Sequence, residues 1–356
     1  MRRTPLLGLL LLAACNSNRI ASAPPGSYLV VLDKADATLR MIEPNSAHVR
    51  DLAPTGAGPH EGAAAPDGSL VVVCDYGDRT PGHTLTVFDP FARHVTSIID
   101  LAPHTRPHGI AFLDQRSTVL VTSETSKALL MVDVRAGKVT RVIPTEAELS
   151  HMLALTPDHT RVFTANMRSN SVSAIDLASG KVLQQVQTGP EPEAIAVSPD
   201  GHEVWVGHNG NDKIVVLDAH TFEKKVEFDC GKKPIRIAFV PNGALALVSC
   251  ADSGELAVID AHSRVERTRI ALFAQPVPPG HAAGEPLPPS LPIGVLCDPD
   301  GRYAYVACNA ANEVAVIDLA KLELRGYIMT GNQPDGMTWL YNRRGYNDPN
   351  ADIMPH

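Results

Sequence analysis

Beyond its first fifteen residues this 356-residue chain shows no sustained run of apolar side chains at a spacing of three to four, so a helical bundle is excluded. Aromatic residues make up only 5% of it, which leaves few platforms on which single-stranded nucleic acid could stack. Basic residues are outnumbered, 31 against 39 acidic, for a formal charge of −8 that argues against nonspecific nucleic-acid binding. The cluster Lys224, Lys225, Lys232 and Lys233 reads as a solvated face. There is no Gly-x-Ser-x-Gly, no Walker-type phosphate loop and no His-Glu-x-x-His. Six cysteines include no Cys-x-x-Cys pair. The five after Cys15 (Cys74, Cys230, Cys250, Cys297 and Cys308) read as small apolar strand residues, with one bridge possible and its partners open.

The chain does contain one motif repeated seven times, a short apolar run closed by an acid. The acids are Glu43, Asp89, Asp133, Asp176, Asp218, Asp260 and Asp318, separated by 46, 44, 43, 42, 42 and 58 residues. That is the period of a four-stranded propeller blade. Within one period, 193–197, 203–206, 213–218 and 223–228 are β-branched or aromatic runs, punctuated by turns such as Ser198-Pro199-Asp200-Gly201. The expected fold is all-β, a seven-bladed propeller with four antiparallel strands per blade.

The chain ends fix how the ring closes. Residues 28–32, 39–43 and 49–52 supply the second, third and fourth strands of a blade whose first strand is 335–340. A composite blade of N-terminal strands and the C-terminal strand therefore closes the ring and removes its exposed sheet edges. One propeller domain is expected over 28–341, followed by a tail, 342–356.

Phe163-Thr164-Ala165-Asn166 with 172–176, Tyr305-Val306-Ala307-Cys308 with 314–318, and the turns 198–201 and 298–301 resemble the YVTN-type (YncE-like) seven-bladed propellers over nearly the whole chain after the leader. The resemblance implies the fold. For function it implies a choice between lactonase-like, metal-dependent enzymes and non-enzymatic binders. The metal ligands of those enzymes find no matching motif in this sequence, so none of their residues carries over.

The first fourteen residues have the form of a signal peptide, with basic Arg2-Arg3 and an apolar 6–12 too short to span a bilayer. Leu12-Ala13-Ala14-Cys15 resembles a bacterial lipobox, making Cys15 the expected lipidation site and first mature residue, and 15–27 a flexible tether. Asn16 after it resembles an outer-membrane sorting signal. The expectation is a monomeric, periplasm-facing protein attached to the outer membrane by its lipid.

Laying the blades over one another shows where they differ. The residue that opens each first strand, usually just after a proline, is His60, His108, His151, Glu193, Ile235, Ile293 and Asp335. First strands line a propeller's channel, so these seven should form a ring near its mouth, polar along one arc and apolar along the other. A second column, the ends of the second strands, is Asp33, Cys74, Ser123, Asn166, His208, Cys250 and Cys308, with Cys74 placed across a longer loop. Two insertions, 273–292 carrying His281 and Glu285, and 75–83 carrying Asp78, Arg79 and His83, fall on the same face, where rings carry their binding loops.

Three imidazoles with carboxylate neighbours can hold a divalent metal ion and leave a position open. In that reading His60, His108 and His151 are the metal ligands and Glu193 or Asp335 is general base or fourth ligand. Arg236, His208 and His281 bind substrate, and the chemistry is metal-assisted hydrolysis or elimination. Two other readings stay open: a channel whose polar ring holds water, and a non-enzymatic propeller that binds a small molecule, porphyrin or protein at the mouth.

Overall fold

The second and third runs of each period are largely buried on both faces while the outer fourth run alternates, and turns whose residues tolerate special backbone angles separate them, so each period folds as an antiparallel meander. A computed structural model of the protein describes residues 21, 23, 24, 26–273 and 290–341. Among them are twenty-eight strands in seven four-stranded sheets. Blade 1 runs from Pro59 to Asp100, blade 2 from Pro107 to Pro144, blade 3 from Ser150 to Gln187 and blade 4 from Pro192 to Asp229. Blade 5 runs from Pro234 to Ala271 and blade 6 from Pro292 to Met329. Blade 7 is composite: Pro334–Tyr341 is its inner strand, followed by Ser27–Asp33, Thr38–Glu43 and His48–Pro54. Its seam pairs Tyr341 with Ser27, Trp339 with Leu29 and Met337 with Val31. No helix among the described residues is long and apolar enough to cross a membrane.

The repeated acids build turns. Asp89 accepts hydrogen bonds from the backbone N–H groups of Phe91 and Ala92, and Asp218 from those of His220 and Thr221. Asp133, Asp176, Asp260 and Asp318 do the same in their own blades. A carboxylate at this point satisfies the donors of the turn into the fourth strand, which is why the motif recurs.

The core lies between facing blades. Val72, Leu85 and Ile99 of blade 1 pack on Val119, Val121 and Leu130 of blade 2; Trp205 and Ile214 of blade 4 pack on Val248 and Ala257 of blade 5. Toward the axis the inner strands come so close that only glycine fits at some positions. A Cβ on Gly336 would lie 2.2 Å from the His60 carbonyl oxygen, and one on Gly294 would lie 2.3 Å from that of Asp335.

One irregularity of the fold positions the site. The pairing between first and second strands slips at the opening of every blade: between Pro59 and Gly62, Pro107 and Ile110, Ser150 and Leu153, Pro192 and Ala194, Pro234 and Arg236, and Pro292 and Val295. The composite blade slips between Val31 and Asp33, opposite Asp335 and Gly336. A bulge leaves a residue out of the ladder and re-aims its side chain. All seven ring residues named from the sequence sit in these bulges.

Candidate functional site

Freed from the ladder, the polar ring residues converge on one another. The His60 and His108 rings have centroids 4.2 Å apart and those of His108 and His151 3.6 Å, so His108 is sandwiched between the other two. His108 is fully buried and neither of its ring nitrogens has a hydrogen-bond partner. Glu193 lies 3.4 Å from His151 Nε2, and Asp335 Oδ1 lies 3.4 Å from His60 Nδ1 without a hydrogen bond between them. The polar arc expected from the sequence, Asp335, His60, His108, His151 and Glu193, is thus brought together. Ile235 and Ile293 occupy the equivalent bulges of blades 5 and 6.

The second column behaves differently from expectation, because its side chains turn away from the arc. The members of blades 7, 1, 2 and 4 tie their strand to the chain segment arriving from the preceding blade. Asp33 accepts from the Gly331 N–H and Asp75 from the Gly56 N–H; Ser123 donates to the Thr105 carbonyl; His208 Nε2 lies 3.0 Å from Thr188 Oγ1. Asn166 is held by Ser150 and Ser173. Blade 1's member is Asp75, which pairs with Pro59, and Cys74 is one position early: it pairs with Leu85 and packs in the core between blades 1 and 2. The longer loop before Asp89 hid that offset. His208 is therefore a buried tether, bonded to Thr188 rather than to the arc, and burial pushes its pKa down to about 4.

The residues that do meet the arc come one position later, on the other face of the strand end. Lys34 donates to Asp335 at 3.2 Å. Tyr76 packs its ring edge-on against His60 and His108 and donates its hydroxyl to Glu124 at 2.8 Å. Glu124 Oε1 is 2.5 Å from His151 Nδ1, and Asn209 donates to Glu193. Side chains alternate faces along a strand, so an offset of one selects the opposite set. That alternation was the available signal for Lys34, Tyr76, Glu124 and Asn209. The insertion 75–83 proves to be an extended hairpin, and it carries Tyr76 over the arc while Arg79 stays exposed.

Glu61, the residue after His60, completes the set. Arg236 donates to Glu61 Oε1 through Nε and Nη2 at 2.9 and 2.6 Å, to Glu193 at 3.3 Å, and to the Ile235 carbonyl. The Arg236 guanidinium links blades 1, 4 and 5 across the channel, with its fork occupied by the protein's own carboxylates instead of facing a substrate. His281 and Glu285 lie outside the described residues, as do Cys15 and the leader.

Electrostatics divides the histidines. Burial, reinforced for His108 by His151 and for His60 by Lys34, holds both well below the ordinary imidazole pKa, so both are neutral with free lone pairs. Burial also opposes a proton on His151, but hydrogen bonds to Glu124 and Glu193 outweigh it and raise its pKa to about 9. Glu193, desolvated yet bonded to His151 and facing Arg236, falls to about 2. Asp335 is the opposite case: burial, only partly offset by Lys34, lifts it to about 6. Two triads, His60–Glu61–His108 and His108–Glu124–His151, place their donor atoms within 4.8 Å of one another.

A ring of seven four-stranded blades with a polar, partly unsatisfied channel mouth defines the class, a closed β-propeller. Residues 107–242 match the family model described as YNCE-like beta-propeller, and the same four-stranded blade recurs around the rest of the seven-bladed ring. Among solved structures it is similar to hydrazine synthase of Kuenenia stuttgartiensis (TM-score 0.66, 17% identity, covering 78% of this chain and 88% of that one). It is also similar to a functionally unknown protein from Desulfotomaculum acetoxidans (TM-score 0.71, 14% identity, 88% and 99%). At these identities the likeness is one of fold. No curated protein matches the sequence.

Proposed function

We propose that the protein binds a divalent first-row transition-metal ion at the channel mouth, through His60, His108 and His151 with Glu61 and Glu124 as carboxylate donors. The observation that carries this reading is His108: a fully buried imidazole with no partner for either nitrogen, between two more imidazoles. Buried polar atoms in folded proteins are satisfied, and a metal ion is the partner that neutral, clustered imidazoles suit best. The rings are too closely packed for a planar macrocycle to lie between them. Bound metal takes the place of the His151 proton, since a ligating imidazole must offer its lone pair.

The same set supports metal-assisted hydrolysis or elimination on a carbonyl compound, the ion polarising the carbonyl or its water. Asp335 is then the better general base: its pKa of about 6 is near neutrality, whereas Glu193 is locked into ion pairs. Arg236 positions Glu61 and Glu193. The leader and Cys15 support display of this site from a lipid anchor, facing the periplasm from the outer membrane.

Elemental analysis of purified C15S protein and its H108A variant, before and after exposure to Zn(II) and Co(II), tests the proposal. Stoichiometric metal in C15S, lost in H108A, is expected, with tetrahedral or five-coordinate Co(II) absorption bands. If C15S takes up no more metal than H108A, the mouth is not a metal site.

A further inference from the structure

The tether column carries a second inference, independent of the metal. In blade 5 the tether is Cys250 and the arriving segment presents Cys230, with the two sulfurs 3.8 Å apart. In blades 7, 1, 2 and 4 the link is a carboxylate, hydroxyl or imidazole hydrogen bond; a thiol–thiol contact is a much weaker tie. The space between them is built for sulfur. The residue after Cys230 is Gly231, and a Cβ there would stand 2.6 Å from Cys250 Sγ. The corresponding pair in blade 6 is Cys308 with Ser290, whose hydroxyl donates to the Leu272 carbonyl, so no second thiol is offered there. Cys74 sits in the core between blades 1 and 2, away from this pair.

We propose that Cys230 and Cys250 form a disulfide that covalently fastens the segment entering blade 5 to that blade's second strand. The sulfurs have to approach to about 2 Å, and the half-exposed segment at Cys230 can supply that movement while Cys250 stays fixed in the sheet. Cys230 is the attacking group: it is the more exposed of the two, and the Cys250 thiol donating to it lowers its pKa below the usual thiol value. Its thiolate attacks an exchangeable disulfide, low-molecular-weight or on a thiol oxidoreductase, and one thiol leaves. Cys250 then loses its proton and displaces the second thiol from the mixed disulfide. Two cysteine thiols are oxidised, and the exchangeable disulfide, reduced by two electrons, leaves as two thiols.

The test uses the full chain equilibrated with oxidised glutathione, denatured, alkylated and mapped by mass spectrometry before and after reduction. The expected result is a linked pair of peptides containing Cys230 and Cys250, lighter than their sum by two hydrogens. Cys74, Cys297 and Cys308 are alkylated without reduction. In parallel, reductant lowers the thermal midpoint of the wild type and leaves that of C230S unchanged. Alkylation of Cys230 and Cys250 in the oxidised sample, or a bridge to any other cysteine, overturns the proposal. So does a reductant response that persists in C230S.

Discussion

Arg236 is the cation that Glu61 and Glu193 share at the mouth, and replacing it with methionine removes the charge while keeping most of the volume. The guanidinium and its partners are nearly dry: side-chain exposures are 7% for Arg236, 13% for Glu61 and 9% for Glu193. In R236M, Glu193 keeps Asn209 and His151, but Glu61 loses both of its charge-assisted hydrogen bonds. Removing one partner of a buried ion pair costs about 3–5 kcal/mol, because the other is left charged and desolvated. At about 2 °C per kcal/mol for a chain of this length the thermal midpoint should fall by about 6–10 °C.

Partial compensation is part of the same reasoning. In the double variant E61Q/R236M the orphaned charge is gone, and buried ion pairs replaced by neutral groups of similar volume are often nearly neutral. The double variant should therefore recover most of the loss, measured on metal-free protein by calorimetry or far-UV circular dichroism and cast as a double-mutant cycle. A midpoint for R236M within about 2 °C of wild type, or losses from E61Q and R236M that simply add, refutes the claim that Arg236 holds the mouth together.

Three further outcomes follow from named residues. D75N probes a carboxyl that burial lifts to about 6 despite bonds from Thr84, Thr86 and Gly56. A raised acid binds its proton more tightly folded than unfolded, so its contribution is largest at low pH and is lost as pH rises from 4 through 6. The wild-type midpoint minus that of D75N should accordingly fall over that window, and a difference that stays flat or rises contradicts it. H208A should destabilise by about 1–3 kcal/mol through the lost tether and the cavity, yet leave Zn(II) or Co(II) uptake unchanged; lost uptake returns His208 to the site. G336A should cost at least about 1–3 kcal/mol, since its Cβ meets a carbonyl in the ring seam, and an unchanged denaturation midpoint shows that the inner strands pack more loosely than described.

Periodicity made the architecture legible. Seven acids at blade spacing set the count, and the unpaired first and last strands set the closure, because both depend on local patterns that each blade repeats. The polar arc was legible for the same reason: each member follows the turn that opens an inner strand. The second column was not, because parity at a strand end depends on where the ladder slips, and a bulge shifts the face without leaving a residue type as its mark. Cys74 against Asp75 shows this most plainly, since only the register with Pro59 separates them. The Glu61–Arg236 pair was hidden by distance: 175 positions separate its partners, and nothing local in either blade names the other.

The separation of the two columns also bears on what the mouth is for. The fold itself uses Asp33, Asp75, Ser123 and His208 to fasten each blade to the segment arriving from the one before, and Asn166 to fasten strands within blade 3, so their polarity needs no ligand to explain it. The bulge residues and the column one step beyond the tethers bond instead to one another and to Arg236, as Tyr76 to Glu124, Glu124 to His151 and Glu193 to Arg236 do. Blades 5 and 6 close with Ile235 and Ile293 in the same bulges, which shows that the ring does not require charge or imidazole there. Within the polar arc, Glu193, Arg236, Glu124 and His151 already answer one another. His108 is answered by no hydrogen bond at either nitrogen, although it is the most enclosed of the three histidines. A position that the fold can fill with isoleucine is filled instead by an unsatisfied buried imidazole between two others, and on that contrast the proposed metal site rests.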